Sequence, residues 1–426
     1  MFVYGRIQKI FTSSNLIANG CRDFLDSSID ENKMVILLFT SGTTGFAKGV
    51  MLSHKNICSN IMSICSTVYV DSTDSSLSIL PLHHTYECTI GFLCIIYRGG
   101  SIAFNEGLRH IGRNLKEVKP TLMISVPLLL ENIYKKIWDR AGKKIGGKVT
   151  LRAAIWLGLF LKKFFRIDVR RKLLRPIHEN LGGRLRLIIT GAAAINPKVS
   201  KGFRNMGIKV LQGYGLTECS PLVIGNRDSA FLDNSVGLPI PGVEARIYNP
   251  DEKGIGEIIV KGNNVMIGYF DNEEATKTAI KDGWFYTGDL GKMDKSGYFY
   301  ITGRSKNVIV TKNGKNIYPE ELEDSINRNP FVQESLVWGK LDENSGETLV
   351  HAQIIPNFEA IKEKLKSIQI SKDDITKVLS DVIKSVNKNL PLYKHIKNFS
   401  IRDNEFIKTT TQKIKRHLKQ NYTDKC

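Results

Sequence analysis

The sequence predicts an α/β protein in three parts: a large region of α/β sheet, a distorted barrel-like subdomain, and a small α+β region at the carboxyl end. Three observations lead there. Apolar strands alternate with helical patterns up to about residue 225. From Ser235 to Gly303 the pattern changes to short alternating strands separated by Gly and Asp turns. After Arg304 a lysine-rich mixture of helical and strand patterns runs to the end. At 426 residues the chain exceeds one ordinary core, so a large domain with a smaller companion is expected.

Met34 to Phe39 is an apolar run of the kind a buried parallel strand shows. It leads into Thr40-Ser41-Gly42-Thr43-Thr44-Gly45-Phe46-Ala47-Lys48-Gly49, where successive small residues let backbone N–H groups turn inward as an anion nest. The hydroxyls and the Lys48 ammonium add donors that a phosphate tail can use. The loop is not a Walker A motif, because Gly49 follows Lys48 where that motif places Ser or Thr, and a GTPase is disfavoured. The plain alternative is a Gly/Ser/Thr-rich surface turn. Leu185 to Thr190 is the next clear strand; Gly191-Ala192-Ala193-Ala194 then turns toward a helix whose start is marked by Asn196 and Pro197. Ile208 to Leu211 comes next as a strand, and Tyr214-Gly215-Leu216-Thr217-Glu218 lies at its strand-to-loop edge, where open α/β sheets bind ligands. There Glu218 suits Mg²⁺ and Thr217 an α-phosphate oxygen, hard oxygen ligands for a hard cation; alone, the block is an ordinary turn.

In the barrel-like region the strands are Val243 to Ile247, Glu257 to Val260 and Tyr298 to Ile301. Trp284-Phe285-Tyr286-Thr287-Gly288-Asp289-Leu290-Gly291 puts one carboxylate in a tight turn. A ribose diol is the natural partner of that carboxylate, with Arg304 as a second contact; an aspartate capping its own hairpin turn is the competing reading. Lys408-Thr409-Thr410-Thr411-Gln412-Lys413-Ile414-Lys415-Arg416 offers a cation on a polar loop leading into a helix, and by itself reads as a solvated basic run.

Composition narrows the classes. A hydrophobic share of 42% is globular, and seven cysteines without a Cys-x-x-Cys pair argue for free thiols in a reducing compartment and no zinc site. The amino terminus shows no charged-then-apolar signal pattern, and the longest lipid-like stretch, Ala153 to Leu161, is too short to span a bilayer, so a cytoplasmic protein is expected. The net charge of +19 is uneven: Lys135 to Arg175 holds fourteen Lys/Arg against two Asp. Within it, Ala153 to Phe165 mixes aromatic and aliphatic residues with lysines, either as a helix at a membrane surface or as one packed on its own domain with a solvated basic rim. No DNA- or RNA-binding signature accompanies the charge, which disfavours nucleic acid.

The loop in the form Thr-Ser-Gly-Thr-Thr-Gly-x-x-Lys-Gly resembles the signature of the adenylate-forming superfamily. The further blocks, from about Met34 to Arg416, resemble its long-chain fatty acyl-CoA synthetases. The resemblance implies a large AMP-binding adenylation domain over 1–303, a hinge at 304–306 with Lys306 at its pivot, and a small mobile carboxyl-terminal lid over 307–426. Pro81-Leu82-His83-His84 matches the block that places His84 beside the acyl carboxylate. Gly191-Ala192-Ala193 matches the segment whose backbone lines the adenine and acyl pocket, Gln212-Gly213-Tyr214-Gly215 the adenine-stacking turn, and Gly314-Lys315 the loop lining the pantetheine tunnel. Lys413 matches the lysine that reaches the substrate carboxylate and α-phosphate.

The implied activity is ATP- and Mg²⁺-dependent conversion of a medium- or long-chain fatty acid to acyl-adenylate and then, with CoA, to a thioester. The alternatives are an acyl carrier protein as acceptor, or a non-catalytic remnant or half of a split enzyme. Three departures stand out: Phe46-Ala47 where many members have x-Pro, Gln412 where a glycine usually precedes the lysine, and about forty residues ahead of the loop where members have well over a hundred.

Overall fold

A computed structural model describes residues 28–40, 47–312, 314–342, 347–365, 367, 370–408 and 414–422. Strands β1 (Met34–Thr40) and β2 (Lys48–Ser53) form an antiparallel hairpin with Thr40 opposite Lys48. The expectation of a buried parallel strand at Met34 to Phe39 is therefore corrected. Phe39 is 69% exposed and Met34 and Val35 also reach solvent, because among the described residues β1 pairs only with β2, at the edge of a small sheet. Helix α1 (His54–Thr67) begins at once, started by a Ser53/Asn56 capping box.

The central sheet has seven strands. β3 (Ser75–Ser78), β4 (Ser101–Phe104) and β5 (Leu122–Ser125) are parallel. Helices α2 (Pro127–Gly142) and α3 (Gly147–Phe165) intervene before β6 (Leu187–Thr190), and α4 (Pro197–Asn205) before β7 (Lys209–Gly215). β6 and β7 continue the parallel set. All four residues of β5 are buried, as a strand covered on both faces requires. The helix anticipated at Asn196 and Pro197 is α4, with Asn196 accepting from the Lys198 N–H at 3.0 Å. β8 (Leu222–Gly225) and β9 (Leu238–Pro239) close the sheet antiparallel, so the strand order is β4-β3-β5-β6-β7-β8-β9.

The second sheet is antiparallel, as its alternating sequence predicts. β10 (Val243–Tyr248) and β11 (Gly256–Gly262) come first; β12 (Gly268–Tyr269) instead joins β2; β13 (Ile280–Lys281), β14 (Trp284–Met293) and β15 (Phe299–Arg304) complete it. One core unites the hairpin, α1 and both sheets through Val50, Leu52, Ile61, Val223, Ile258 and Phe299. Burying such side chains is worth roughly 2 kcal/mol each.

A second core, with Met123, Ile188 and Phe203, lies at the parallel sheet. The carboxyl-terminal part carries its own: β16 (Ile309–Val310) pairs β17 (Asn316–Ile317), and α5 (Pro319–Asn327) and α6 (Lys372–Asn387) accompany the sheet of β18 (Val332–Leu341), β19 (Thr348–Pro356) and β20 (Ile396–Ile401). The described cysteines, Cys58, Cys65, Cys88, Cys94 and Cys219, are free thiols; Cys21 and Cys426 lie outside the described residues.

Candidate active site

Because β3, β5, β6 and β7 are parallel, their carboxyl ends share one edge of the sheet, where ligands gather in such folds. His84 lies beyond β3 there, half-buried, its ring 4.3 Å from that of His83, just ahead of a π-helix over Tyr86–Leu93. The Tyr86 hydroxyl sits 3.2 Å from the Ser125 carbonyl oxygen and 3.1 Å from that of Ile189, tying the π-helix to β5 and β6. Gly191 comes directly after β6; a Cβ there would approach the Tyr86 ring to 3.3 Å. Ala192 has a φ of 71°, a left-handed conformation that an L side chain adopts at a cost.

Gln212, Gly213, Tyr214 and Gly215 are strand rather than turn, which corrects the sequence reading. β7 runs on to Gly215 because β8 pairs it there, and the two glycines permit that approach: a Cβ on Gly213 would stand 2.7 Å from Leu222 Cδ1, and one on Gly215 would overlap the Pro221 carbonyl. The Gln212 backbone carbonyl accepts from Asn226, which extends the β8 pairing by one residue.

The hydroxyl-rich loop is flanked by Thr40 and Lys48; Ser41, Gly42, Thr43, Thr44 and Gly45 lie outside the described residues. The Lys48 ammonium stands 4.6 Å from the centre of the Tyr269 ring, a cation–π distance. The Tyr269 hydroxyl in turn donates to Glu218 Oε1 at 3.1 Å. Lys48, Tyr269 and Glu218 thus form one chain of contacts, built because β12 pairs with β2 at Val50 and Met51. Thr217 and Glu218 occupy a short 3-10 turn after β7. Burial raises the Glu218 carboxyl above its ordinary range, with the nearby Asp289 charge adding to the rise while Tyr269 and Arg304 oppose it.

Such a carboxylate fits a Mg²⁺ site, since that ion is usually bound by one or two carboxylates together with substrate phosphates. Among the described residues no three His, Cys, Asp or Glu side chains gather as a metal cage.

Asp289 does not sit in a tight turn. It lies within the ten-residue β14, at an irregularity where Glu257 faces Leu290 but Ile259 faces Tyr286, leaving Thr287, Gly288 and Asp289 bulged from the pairing. Gly288 takes a φ of 70° to allow this. The bulge turns the Asp289 carboxylate to two donors: the Tyr214 hydroxyl at 2.8 Å and Arg304 Nε, its register partner on β15, also at 2.8 Å. The carboxylate does not cap its own turn; the cap there is Thr287, whose Oγ1 accepts from the Asp289 N–H at 3.0 Å. Burial, then the Asp289 charge, holds the Tyr214 phenol well above its usual range.

Arg304 ends β15, and Lys306 lies just beyond it in a single 3-10 turn. Although the Lys306 side chain reaches solvent, the protein around it lowers its ammonium to about 8, with the cation Arg304 acting the same way. Asn307 donates to Glu320 Oε1 of α5 at 2.5 Å, and Arg416 ion-pairs with Glu323 and reaches the Val337 carbonyl at 3.0 Å. Lys413 lies outside the described residues. The segment after it holds a bridge residue, Ile414, and a 3-10 turn over Lys419–Asn421, so the described tail has no α-helix after the basic run. Gly314 and Lys315 form the β16–β17 turn, with Gly314 at a φ of 70°. Lys315 stands 4.9 Å over the Tyr393 ring, whose hydroxyl bonds Lys253 of the second sheet's β10–β11 turn at 2.8 Å. That contact holds the turn against Tyr393 and Lys253.

Sequence reasoning thus finds Lys48, Glu218, Tyr214, Asp289 and Arg304, which the fold brings together in two adjoining clusters. It misses Tyr269, Tyr86 and Glu320. Tyr269 has a weak signal, an aromatic after Gly268 on a two-residue strand; the other two declare themselves only through tertiary contacts.

Known proteins resemble this chain in sequence and in fold. A family model described as AMP-binding enzyme matches residues 9–270, and one described as AMP-binding enzyme C-terminal domain matches residues 306–425. The chain is similar to the long-chain-fatty-acid–CoA ligase FadD15 of Mycobacterium bovis, 28% identical over 406 residues, covering 90% of this chain and 66% of that one. It is also similar to fatty acyl-CoA synthetase B of Dictyostelium discoideum, 29% identical over 426 residues, covering 91% and 61%. The chain therefore spans about two-thirds or less of the length of these curated relatives. Among solved structures it resembles ATP-bound MatB from Rhodopseudomonas palustris, with a TM-score of 0.70 at 27% identity over 93% of this chain and 69% of that one.

Proposed function

The chain belongs to the AMP-binding enzyme family, and from that premise we propose that it is an ATP-dependent ligase that activates a medium- or long-chain fatty acid and passes the acyl group to CoA. Residues 1–303 form the large adenylation domain in this reading, 304–306 the hinge and 307–426 the lid. A carboxylate oxygen of the fatty acid attacks the α-phosphorus of ATP, the bond from that phosphorus to the bridging oxygen breaks, and pyrophosphate leaves. The CoA thiol then gives up its proton and attacks the acyl carbon, and AMP departs with the electron pair.

Thr40, Ser41, Gly42, Thr43, Thr44, Gly45 and Lys48 hold the phosphate tail, and Thr217 an α-phosphate oxygen. Glu218 would hold Mg²⁺, which neutralises phosphate charge when bound. Gly191, Ala192 and Gln212 to Gly215 frame the adenine, Asp289 and Arg304 the ribose, and His84 the acyl carboxylate. Lys413 supplies the cation at the α-phosphate, Lys306 the pivot, and Gly314 and Lys315 the wall of the CoA tunnel. Positioning and charge neutralisation carry such a reaction, so no protein nucleophile is required. Partners are fatty acid, ATP and CoA, with a peripheral membrane contact through residues 135–175.

The observation that carries the proposal is the contact chain from Lys48 through Tyr269 to Glu218, which sets the flank of the hydroxyl-rich loop beside the acid of the Tyr-Gly-x-Thr-Glu block. Substrate choice is supported by the relatives, which are named as ligases of long-chain fatty acids or as a fatty acyl-CoA synthetase. The test is Mg-ATP-dependent pyrophosphate release from the 426-residue chain with fatty acids of increasing length, with and without CoA. Release that rises with a long-chain acid and turns over only with CoA is expected. Turnover with acyl carrier protein but not CoA would reassign the acceptor, and silence from a folded sample would leave a non-catalytic chain or one half of a split enzyme.

A further inference from the structure

We infer that the outward stripe of α3 is a docking face for an anionic bilayer surface, on which the helix lies parallel to the membrane plane. This deepens the membrane contact named for residues 135–175 and is independent of the ligase reading, because it is tested without substrate. Of the two readings its sequence offers, packing on its own domain is seen on one side of the helix. Its inner side is seated on the domain: Gly158 is buried, and a Cβ there would stand 2.6 Å from Arg170 Cγ, while Leu151, Ala154, Ile155 and Leu161 are half-buried. Arg170 is itself fixed by Asp168 and by the Arg204 carbonyl at 2.6 Å.

The other side is apolar and uncovered among the described residues. Val149, Trp156, Phe164 and Phe165 are each at least 60% exposed. Trp156, Phe160 and Phe164 succeed one another at four-residue spacing, on one helix face. Their rings form a continuous row, with Trp156 to Phe160 at 5.3 Å and Phe160 to Phe164 at 4.7 Å between centroids. Monomeric soluble surfaces seldom carry such a row without a partner.

Charge selects the partner. Helix α3 contains Lys148, Arg152, Lys162 and Lys163 and no Asp or Glu, with Arg166 just beyond its end. Asp168, the next acid along the chain, is already engaged by Arg170 and Lys162. A rim of cations around an aromatic stripe complements acidic headgroups, the long lysine stems lying along apolar surface while the ammonium groups meet phosphate. A second copy of a chain of net charge +19 would bring like charge to the same rim. Among the described residues no helix is long and apolar enough to cross a membrane, which agrees with a helix that lies on one.

The test is flotation of the full chain with vesicles of phosphatidylcholine alone or with one-third phosphatidylserine. Flotation with the mixed vesicles only is expected, and a Trp156→Ser/Phe164→Ser variant, with both changes at exposed positions and no change of charge, should partition at least tenfold less. Quenching of tryptophan fluorescence by brominated lipid should occur in the parent and be largely lost in Trp156→Phe, which guards against a misfolded double variant. Failure of the parent to float overturns the inference. So does flotation unchanged by loss of the aromatics, because general adsorption of a cationic chain would behave that way, and so does a parent dimer that the double variant converts to monomer. Flotation without pyrophosphate release, or the reverse, separates this inference from the ligase proposal.

Discussion

Replacing Glu87 by Gln should remove a pH dependence that the fold builds into the sheet edge beside His84. Glu87 is fully buried on the π-helix. It occupies space left by Gly91, where a Cβ would stand 2.6 Å from the carboxyl. Burial pushes its carboxyl from an ordinary 4.5 up to about 7, and the Ser78 hydroxyl and the Leu80 amide oppose this only in part. An acid whose pKa is raised on folding adds stability that is fully present below the unfolded value and is lost as the pH rises through the folded one. The window is therefore between 4.5 and about 7. At about 1.4 kcal/mol per pH unit the loss amounts to about 3 kcal/mol.

Urea unfolding of parent and Glu87→Gln at pH 5 and pH 8 reads it, because the double difference cancels every other titrating group the two chains share. The parent should lose about 2.5 kcal/mol more than the variant between the two pH values, since part of the loss is complete by pH 5. A double difference below about 0.5 kcal/mol, with both chains unfolding in the same way, would refute the argument that this carboxyl is neutral at pH 5 to 6 in the folded chain.

Asp289→Asn should weaken ATP binding by roughly tenfold to a hundredfold, the worth of one or two hydrogen bonds to a charged group, read by titration calorimetry with the unfolding midpoint as a control; unchanged affinity would remove Asp289 from the ribose site. Ala192→Gly should stabilise the chain by about 0.5–1 kcal/mol, since glycine relieves the left-handed φ at an exposed residue that packs little, and thermal unfolding measures it. Lys413→Ala should lower acyl-adenylate formation by roughly a hundredfold or more while sparing thioester formation from preformed acyl-adenylate. Equal loss of both half-reactions would deny it that role.

The parts of the fold that are legible in sequence are those set by local pattern. β6 and the start of β7 lie on the apolar runs Leu185 to Thr190 and Ile208 to Leu211, and α4 begins at the Asn196-Pro197 pair that marks helix starts. β1 misleads because an apolar run does not reveal how many neighbours it will have: its six apolar residues resemble a central strand, yet among the described residues it pairs on one side only. Asp289 reads as a turn residue for a related reason. Thr-Gly-Asp has turn chemistry, and a bulge inside a long strand uses the same chemistry without ending the strand. The contacts of Tyr86 join segments 39 and 103 residues apart, and those of Glu320 join separate elements, so no local window announces either; Tyr269 offers only the aromatic after Gly268.

Arg304 connects the Asp289 cluster to the carboxyl-terminal part of the chain. It is the register partner of Asp289 across β14 and β15, and it stands two residues ahead of Lys306. The strand that carries it is also where α5 rests: a Cβ on Gly303 would stand 2.6 Å from Glu320 Oε2, and Asn307 donates to the other oxygen of the same carboxylate. That seat is incompletely bonded. Glu320 Oε2 is buried without a hydrogen-bond partner, and Arg416 Nε, at 3.9 Å from Oε1, is too far to form one. A buried acceptor left unpaired costs roughly 1–3 kcal/mol, so this docking of α5 is held less firmly than a fully bonded interface would be. Under the proposed reading, a ribose that takes up Asp289 lone pairs competes with Arg304 for them, and the consequence reaches the α5 seat through the same strand within three residues.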